Sequence, residues 1–551
     1  MKMFEKNKEM IGEYPKDLAV KCQNGIFVGK REGKVLSYKG IPYARQPIGK
    51  LRWKAPREAP ESEKVYEAYH FGACSIQSVS KAKENLFGNQ GEDCLNLNIW
   101  MNADNMRKKK PVMVYIHGGS YRWGGTTDPV LDGHNFVEEH GDVILITIAY
   151  RLGIMGFVDF STVPGGQYYK DSCNLGILDQ IAALTWIKKN VEAFGGNPSN
   201  ITVFGESAGA GSISILTVLP RARGLFQRAI MESGSCALTY NKKQCQPMTK
   251  RIMTLTKAES MQDLQKLSIE ELQELSGKVA DISCFPQRDG RILPLDLYAQ
   301  YAAGASRHVD ILMGTNADEV RYWMEKVHGE LFYRLEIPIL YENNIKSISH
   351  KDKKRIKEFF SLRHESKAWK ITEFYNEVVF RLPALFQLTE HSKNGGKAYN
   401  YYWTQPGTRR RQGAFHTVEI PYVFHNPMEE VGAGRMRGQK PCFNEELSKD
   451  VQAMWVNFAK NGDPSIEKLE WTRYEQNSRK TMILGKECRV VEDLLEEQRR
   501  LLMPILKYYL KVSYTGLSFR VPQVYKLLAG AVIGIFALVR GCLHLRDKRK
   551  Q

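Results

Sequence analysis

The sequence predicts an α/β fold built around parallel strands, and three stretches predict it. "NITVF", Asn200–Phe204, is β-branched and apolar, as a strand buried on both faces must be, and after a short glycine-flanked turn the apolar residues of "AGAGSISILTVL" return at helical spacing. "PVMVYIHGGSY", Pro111–Tyr121, is a second buried-strand pattern, ending in glycines. "VDILMGTNADEV", Val309–Val320, is a third, an apolar run that gives way to a polar loop at Gly314.

Composition sets the frame. The chain has 551 residues, 43% hydrophobic, with no internal repeat, enough for a large core. Lys plus Arg outnumber Asp plus Glu by 79 to 61, but the excess of +18 is dispersed and no zinc-ligand spacing, RNP motif or helix-turn-helix pattern accompanies it. A basic solvated surface is therefore expected and nucleic acid is not a predicted partner. The run "HKDKKRIK", His350–Lys357, reads likewise as an exposed helix face. The N-terminal stretch "MKMFEKNKEMIGEYPKDLAVKCQNG" offers no apolar core for a secretory signal, so a cytoplasmic body is expected. Ten cysteines are scattered without a C-x-x-C pair, which points to thiols and to neither a redox motif nor a structural zinc.

Taken along the chain, the first chemistry-bearing element is Pro111–Tyr121. His117, Gly118 and Gly119 close its strand, and two glycines there let bare backbone N–H groups face a developing negative charge. The second is the turn between Phe204 and Ala208. Gly205 and Gly209 allow strand and helix to approach closely while Ser207 stands at the tip with its hydroxyl exposed, the G-x-S-x-G nucleophile elbow. The N–H of Ala208 then joins Gly118 and Gly119 as a candidate oxyanion hole, each donor of which is typically worth on the order of 100-fold to 1000-fold in rate.

An activated serine needs a base and an acid to orient it, and in α/β-hydrolases they follow the serine in the order acid, then histidine. The polar loop after Gly314 supplies two neighbouring carboxylates, Asp318 and Glu319, which residue chemistry alone does not separate. Of the twelve histidines, His416 in "GAFHTVEIPYVF" follows the strand pattern "KAYNYYW", Lys397–Trp403, with His391 and His425 as rivals. No metal or organic cofactor is required.

The C-terminus differs in character. Leu527–Val539, "LLAGAVIGIFALV", is uncharged for 13 residues, lies between Lys526 and Arg540, and precedes the basic "RDKRKQ". A spanning helix needs about 20 largely apolar residues, so the stretch would have to extend to Leu545 with Arg540 and His544 near an interface. Residues 516–551 are accordingly predicted as an apolar helix with a basic tail that associates with membrane, following a domain of residues 1–515.

Against these residues a family resemblance stands out. "GIPYARQPIGKLRWKAP", "GEDCLNLNIW", "YIHGGSY", "AYRLGIMGF", the long run "NLGILDQIAALTWIKKNVEAFGGNPSNITVFGESAGA", "GTNADEV" and "GAFHTVEIPYVF" together resemble the type B carboxylesterase family, which includes cholinesterases and bacterial para-nitrobenzyl esterases. The resemblance implies one α/β-hydrolase domain, its large, mostly parallel sheet flanked by helices, with helical insertions forming a gorge over Ser207. It implies a serine esterase acting on small-molecule esters, and it selects Glu319 over Asp318 as the acid. Val320 and Thr417 stand where the family usually has glycine. Glu206 and Glu419 match positions of buried carboxylates that support the histidine, and Tyr322 and Trp323 are candidate lining for an apolar or aromatic substrate pocket. Cys74 and Cys94 match the family's first disulfide, worth about 3 kcal/mol in the chain-entropy model if oxidised. The second disulfide of secreted animal members has no counterpart here, which favours a bacterial-type, intracellular member. Amidase or lipase chemistry on the same triad, and a noncatalytic adhesion or scaffold role, are the alternatives.

Overall fold

Continuous apolar runs become the inner strands of an 11-stranded sheet. In chain order its strands are β1 (Lys30–Glu32), β2 (Val35–Pro42), β3 (Asn96–Asn102), β4 (Lys110–Ile116), β5 (Ile144–Ile148), β6 (Gly196–Glu206), β7 (Arg228–Glu232), β8 (Asp310–Asn316), β9 (Ala398–Trp403), β10 (Thr481–Leu484) and β11 (Arg489–Val491). Their spatial order is β1-β2-β3-β5-β4-β6-β7-β8-β9-β10-β11. The ladders from β5 to β10 are parallel, and those at the two ends of the sheet are antiparallel. A parallel sheet must be covered on both faces, which is why β4, β5 and β7 are almost wholly buried and nearly without polar alternation.

The computed structural model describes residues 5–510 apart from 79–86, 88, 105–108, 281, 325–329, 409–411 and 428–442. The predicted C-terminal helix and basic tail of residues 516–551 lie outside the described residues. Among the described residues no helix is long and apolar enough to cross a membrane.

The helices that matter for the site are α1 (Leu175–Asn190), α2 (Ala208–Leu216), α3 (Glu330–Asn344), α4 (His350–Ser361), α5 (Lys367–Tyr375) and α6 (Leu382–Lys393). α3 to α6 fill the long connection from β8 to β9. The basic run His350–Lys357 does form a helix with an exposed lysine face, but Asp352 within it is buried, accepting from Tyr508 and pairing with Lys507 at 2.8 Å.

Register across the parallel strands decides where chemistry gathers. Ile116 pairs with Gly205, Glu206 with Glu232, and Glu232 with Gly314, so the C-terminal ends of β4, β6, β7 and β8 lie side by side. Loops leaving that edge converge on one place, the usual position of a site in a parallel α/β sheet.

Candidate active site

β6 ends at Glu206 and α2 begins at Ala208, leaving Ser207 alone to turn the chain. It does so at φ 55° and ψ −117°, a conformation costly for any residue with a Cβ. Two backbone bonds hold it: Ser207 N–H donates to Glu232 O on β7, and Ser207 O accepts from Gly211 N–H, both at 2.8 Å. The flanking glycines are steric necessities, since a Cβ at Gly205 or Gly209 would run into the carbonyl oxygen of Ile116, and one at Gly234 into that of Ser207.

Three sequence-distant side chains meet in a line. His416 Nε2 lies 2.8 Å from Ser207 Oγ, and His416 Nδ1 lies 2.6 Å from Glu319 Oε2. Asn316, at the end of β8, donates its backbone N–H to the other oxygen of Glu319 at 2.8 Å, which orients the carboxylate. All three are buried, Ser207 at 8% exposure and Glu319 at none. Val320 and Thr417 do not displace this line, although Thr417 is a β-branched residue held at φ 79°.

The rivals are engaged elsewhere. Asp318 ties the Glu319 loop to the His416 loop, accepting from Ala414 N–H at 2.9 Å and pairing with Arg321 at 2.9 Å. His391 is bonded through its two ring nitrogens to Ser306 Oγ and Lys397 O, and burial pushes it down to about 4. His425 faces Ser448 and Glu445.

Gly118 and Gly119 follow β4 after His117. A Cβ on Gly118 would press on Ser207 Cβ at 3.2 Å and on the Glu206 carboxylate at 2.8 Å, so only glycine brings that backbone beside the hydroxyl. Gly119, Ser120 and Tyr121 then take φ of 114°, 56° and 58°, three consecutive left-handed residues that turn the chain tightly, so that Arg122 and Trp123 N–H both donate back to Gly119 O. Ala208 opens α2, so its N–H is one of the first-turn amides a helix leaves without an internal acceptor.

Four buried carboxylates, Glu319 among them, cluster around this line of side chains. Glu206 Oε1 lies 3.0 Å from His416 Nε2, sharing that nitrogen with Ser207. Glu419 accepts from Asn316 Nδ2 at 2.6 Å and from Ser233 Oγ at 3.3 Å. Burial raises both Glu319 and Glu419 above the ordinary carboxylate range, and the charge of Glu319 raises Glu419 further. The fourth, Glu232, was not foreseen from sequence; only its place at a strand end next to the glycine-rich "SGS" signalled it. Its Oε1 accepts from Trp455 Nε1 at 2.7 Å, and burial followed by the charge of Glu419 pushes it from 4.5 to about 8.

A stability consequence follows for Glu232. Below pH 4.5 the carboxyl is protonated whether the chain is folded or not; between 4.5 and about 8 the folded protein retains a proton that the unfolded chain has lost, so folding weakens as pH rises. At about 1.4 kcal/mol per unit, the penalty above pH 8 is on the order of a few kcal/mol. Glu232→Gln is therefore expected to raise the melting temperature at pH 8 to 9, with the gain fading towards pH 5. A gain that is equal at both ends of that range would contradict this account.

Aromatic rings pack around the His416 imidazole. Trp323 stacks on His416 with centroids 5.2 Å apart and planes at 29°, Phe380 lies at 5.1 Å, and Tyr322 meets the ring edge-on at 5.9 Å. Tyr322 and Trp323 thus pack directly on the imidazole. Phe380 was missed in the sequence, because it arrives from the turn between α5 and α6, far from every motif.

The disulfide implied between Cys74 and Cys94 is not formed: both are free, buried thiols. Cys74 Sγ instead faces Thr127 Oγ1 at 3.4 Å. Burial pushes Cys74 up to about 11 and Cys94 further, which disfavours the thiolates through which disulfide exchange proceeds.

The chain is similar to known proteins along most of its length. The sequence model of the carboxylesterase family matches residues 16–502. The chain is 32% identical over 504 residues to the para-nitrobenzyl esterase of Bacillus subtilis, covering 88% of this chain and 98% of that protein. It is 31% identical over 495 residues to liver carboxylesterase 1F of Rattus norvegicus, covering 80% of this chain and 84% of that one. A crystal structure of a Geobacillus stearothermophilus carboxylesterase superposes with a TM-score of 0.79 at 30% identity, over 88% of this chain and 99% of the other.

Proposed function

We propose, since the chain belongs to the carboxylesterase family, that its hydrolysis of carboxylic esters through an acyl-serine runs on Ser207 as nucleophile, His416 as base and Glu319 as the orienting acid. The observation that carries this reading is the unbroken line of hydrogen bonds from Ser207 Oγ through both imidazole nitrogens to Glu319.

His416 takes the hydroxyl proton as Ser207 attacks the ester carbonyl, and Glu319 stabilises the imidazolium that results. The N–H groups of Gly118, Gly119 and Ala208 receive the oxyanion. Collapse expels the alcohol, which leaves with the proton from His416, and the acyl group stays on Ser207. Water activated by the same imidazole then releases the carboxylic acid and restores the hydroxyl. Glu206, within 3.0 Å of Nε2, adds negative potential where positive charge develops.

The rings of Tyr322, Trp323 and Phe380 favour an apolar or aromatic acyl or alcohol group. Amides pass through the same steps with a poorer leaving group. A panel of short para-nitrophenyl esters against matching anilides tests the esterase reading, which fails if anilides are the better substrates. Mapping a fluorophosphonate adduct to the peptide containing Ser207 tests the nucleophile.

The unusual composition of Leu527–Val539 with its basic flank supports membrane association of a cytoplasmic body through that tail. In carbonate extraction, the full chain is expected in the membrane fraction and a chain truncated at Val521 in the supernatant; a full chain in the supernatant would end this reading.

A further inference from the structure

Between α5 and α6 the helix makes one π-helical turn, Asn376–Arg381, every residue of which is buried. Such turns are rare and concentrate at functional sites. Their extra residue rotates the helix that follows by about 100° relative to an uninterrupted α-helix, so side chains that would diverge face one neighbour. Here that neighbour is the triad. Phe380 packs against the His416 ring, and Asn376, four residues earlier, reaches the loop that carries Glu319.

The carboxamide of Asn376 grips that loop at both ends. Its Oδ1 accepts from the backbone N–H of Val320 at 2.8 Å, and its Nδ2 donates to the carbonyl of Ala317 at 3.2 Å, with a further bond to Glu373 Oε2 at 3.3 Å. Ala317 and Val320 bracket Glu319 within four residues. The turn is itself anchored by a buried ion pair, Arg381 to Glu377 at 2.9 Å, and by Arg381 Nη1 donating to Leu494 O at 3.0 Å.

We infer that Asn376 is a positioning residue for the acid of the triad: held by the π turn, it fixes the Ala317–Val320 loop and so aims the Glu319 carboxylate at His416 Nδ1. It touches neither substrate nor reacting atoms and acts through Glu319. The inference rests on Glu319 being the acid, as proposed above. Glu319 already has a tether on one side, the Asn316 N–H at 2.8 Å, and Asn376 supplies the hold on the other side of the loop. Loss of that hold lets the carboxylate drift, and misplacement by about 1 Å typically costs on the order of 100-fold.

The test is a double-mutant cycle on the full chain with a para-nitrophenyl ester, measuring kcat, KM and thermal midpoint. Asn376→Ala is expected to lower kcat by about 10-fold to 100-fold with KM changed less than about threefold. In a Glu319→Ala background the same substitution is expected to change kcat by less than about twofold, because the group it positions is gone. A kcat within twofold of wild type for Asn376→Ala, or an equal loss in both backgrounds, overturns the inference and leaves Asn376 as a stabilising contact alone. If Asn376→Ala does not fold, Asn376→Leu, which removes the bonds to both Val320 N–H and Ala317 O at nearly unchanged volume and adds no charge, replaces it in the same cycle with the same criteria. Glu319→Ala at wild-type activity would instead refute the assignment of the acid itself.

Discussion

Ser207→Ala is expected to lower kcat for para-nitrophenyl esters by on the order of 10⁴-fold to 10⁶-fold and to abolish fluorophosphonate labelling. The substitution removes one oxygen and one hydrogen bond, the 2.8 Å contact to His416 Nε2, while the Cβ already accommodated beside Gly118 stays in place. Alanine tolerates the backbone of residue 207 no worse than serine does, and the bonds to Glu232 O and from Gly211 N–H are main-chain bonds that survive. The folded state should therefore persist, so a collapse in rate reports chemistry. Residual hydrolysis comes from the glycine amides acting on bound ester with water as nucleophile. Purified, folded Ser207→Ala turning over within a factor of ten of wild type would remove Ser207 from the mechanism.

Glu319→Gln carries the second large effect, a fall in kcat on the order of 10⁴-fold. Glu319 accepts from two N–H donors, Asn316 N–H on one oxygen and His416 Nδ1 on the other, and the Ser233 hydroxyl also bonds to its carboxylate. A glutamine has one carbonyl oxygen for those two donors. If the oxygen stays with the backbone amide, its NH₂ faces Nδ1 and forces the imidazole to carry its proton on Nε2. That proton then points at Ser207 Oγ, where a lone pair is needed to accept one. The effect is one of tautomer and charge, with side-chain volume unchanged, so circular dichroism and melting should remain close to wild type. Folded Glu319→Gln retaining more than a tenth of wild-type kcat would contradict the assigned acid.

Among the three side chains proposed as the triad, legibility in the sequence falls in order. The elbow is written locally: Gly205, Ser207 and Gly209 lie within five positions, and their steric meaning is visible because glycine is the one residue that removes a Cβ. The strand was expected over Asn200–Phe204 and runs over Gly196–Glu206, and the helix stops at Leu216 where periodicity extended to Leu219; in both cases the end next to Ser207 is the well-defined one. The acid needed more. Adjacent residues in a loop point in different directions, and Asp318 turns to Ala414 N–H while Glu319 turns to the imidazole, a distinction that neither composition nor spacing contains. The base was one of three histidines for the same reason. β8 also continues to Asn316, two residues past the expected break at Gly314, and that extension sets the amide and side chain of Asn316 on Glu319 and Glu419.

The chain's own order of residues was enough to establish the α/β class, the nucleophile elbow and the glycine pair, because each depends on contacts within a few positions or on a buried strand's need for apolar residues throughout. What Asp318, His391 and His425 bond to, the fourth carboxylate at Glu232, the contact of Cys74 with Thr127, and the grip of Asn376 on the Glu319 loop were settled only by folding. Those depend on register between parallel strands and on a single π turn, and both bring together residues separated by dozens to hundreds of positions whose mutual directions no local pattern encodes.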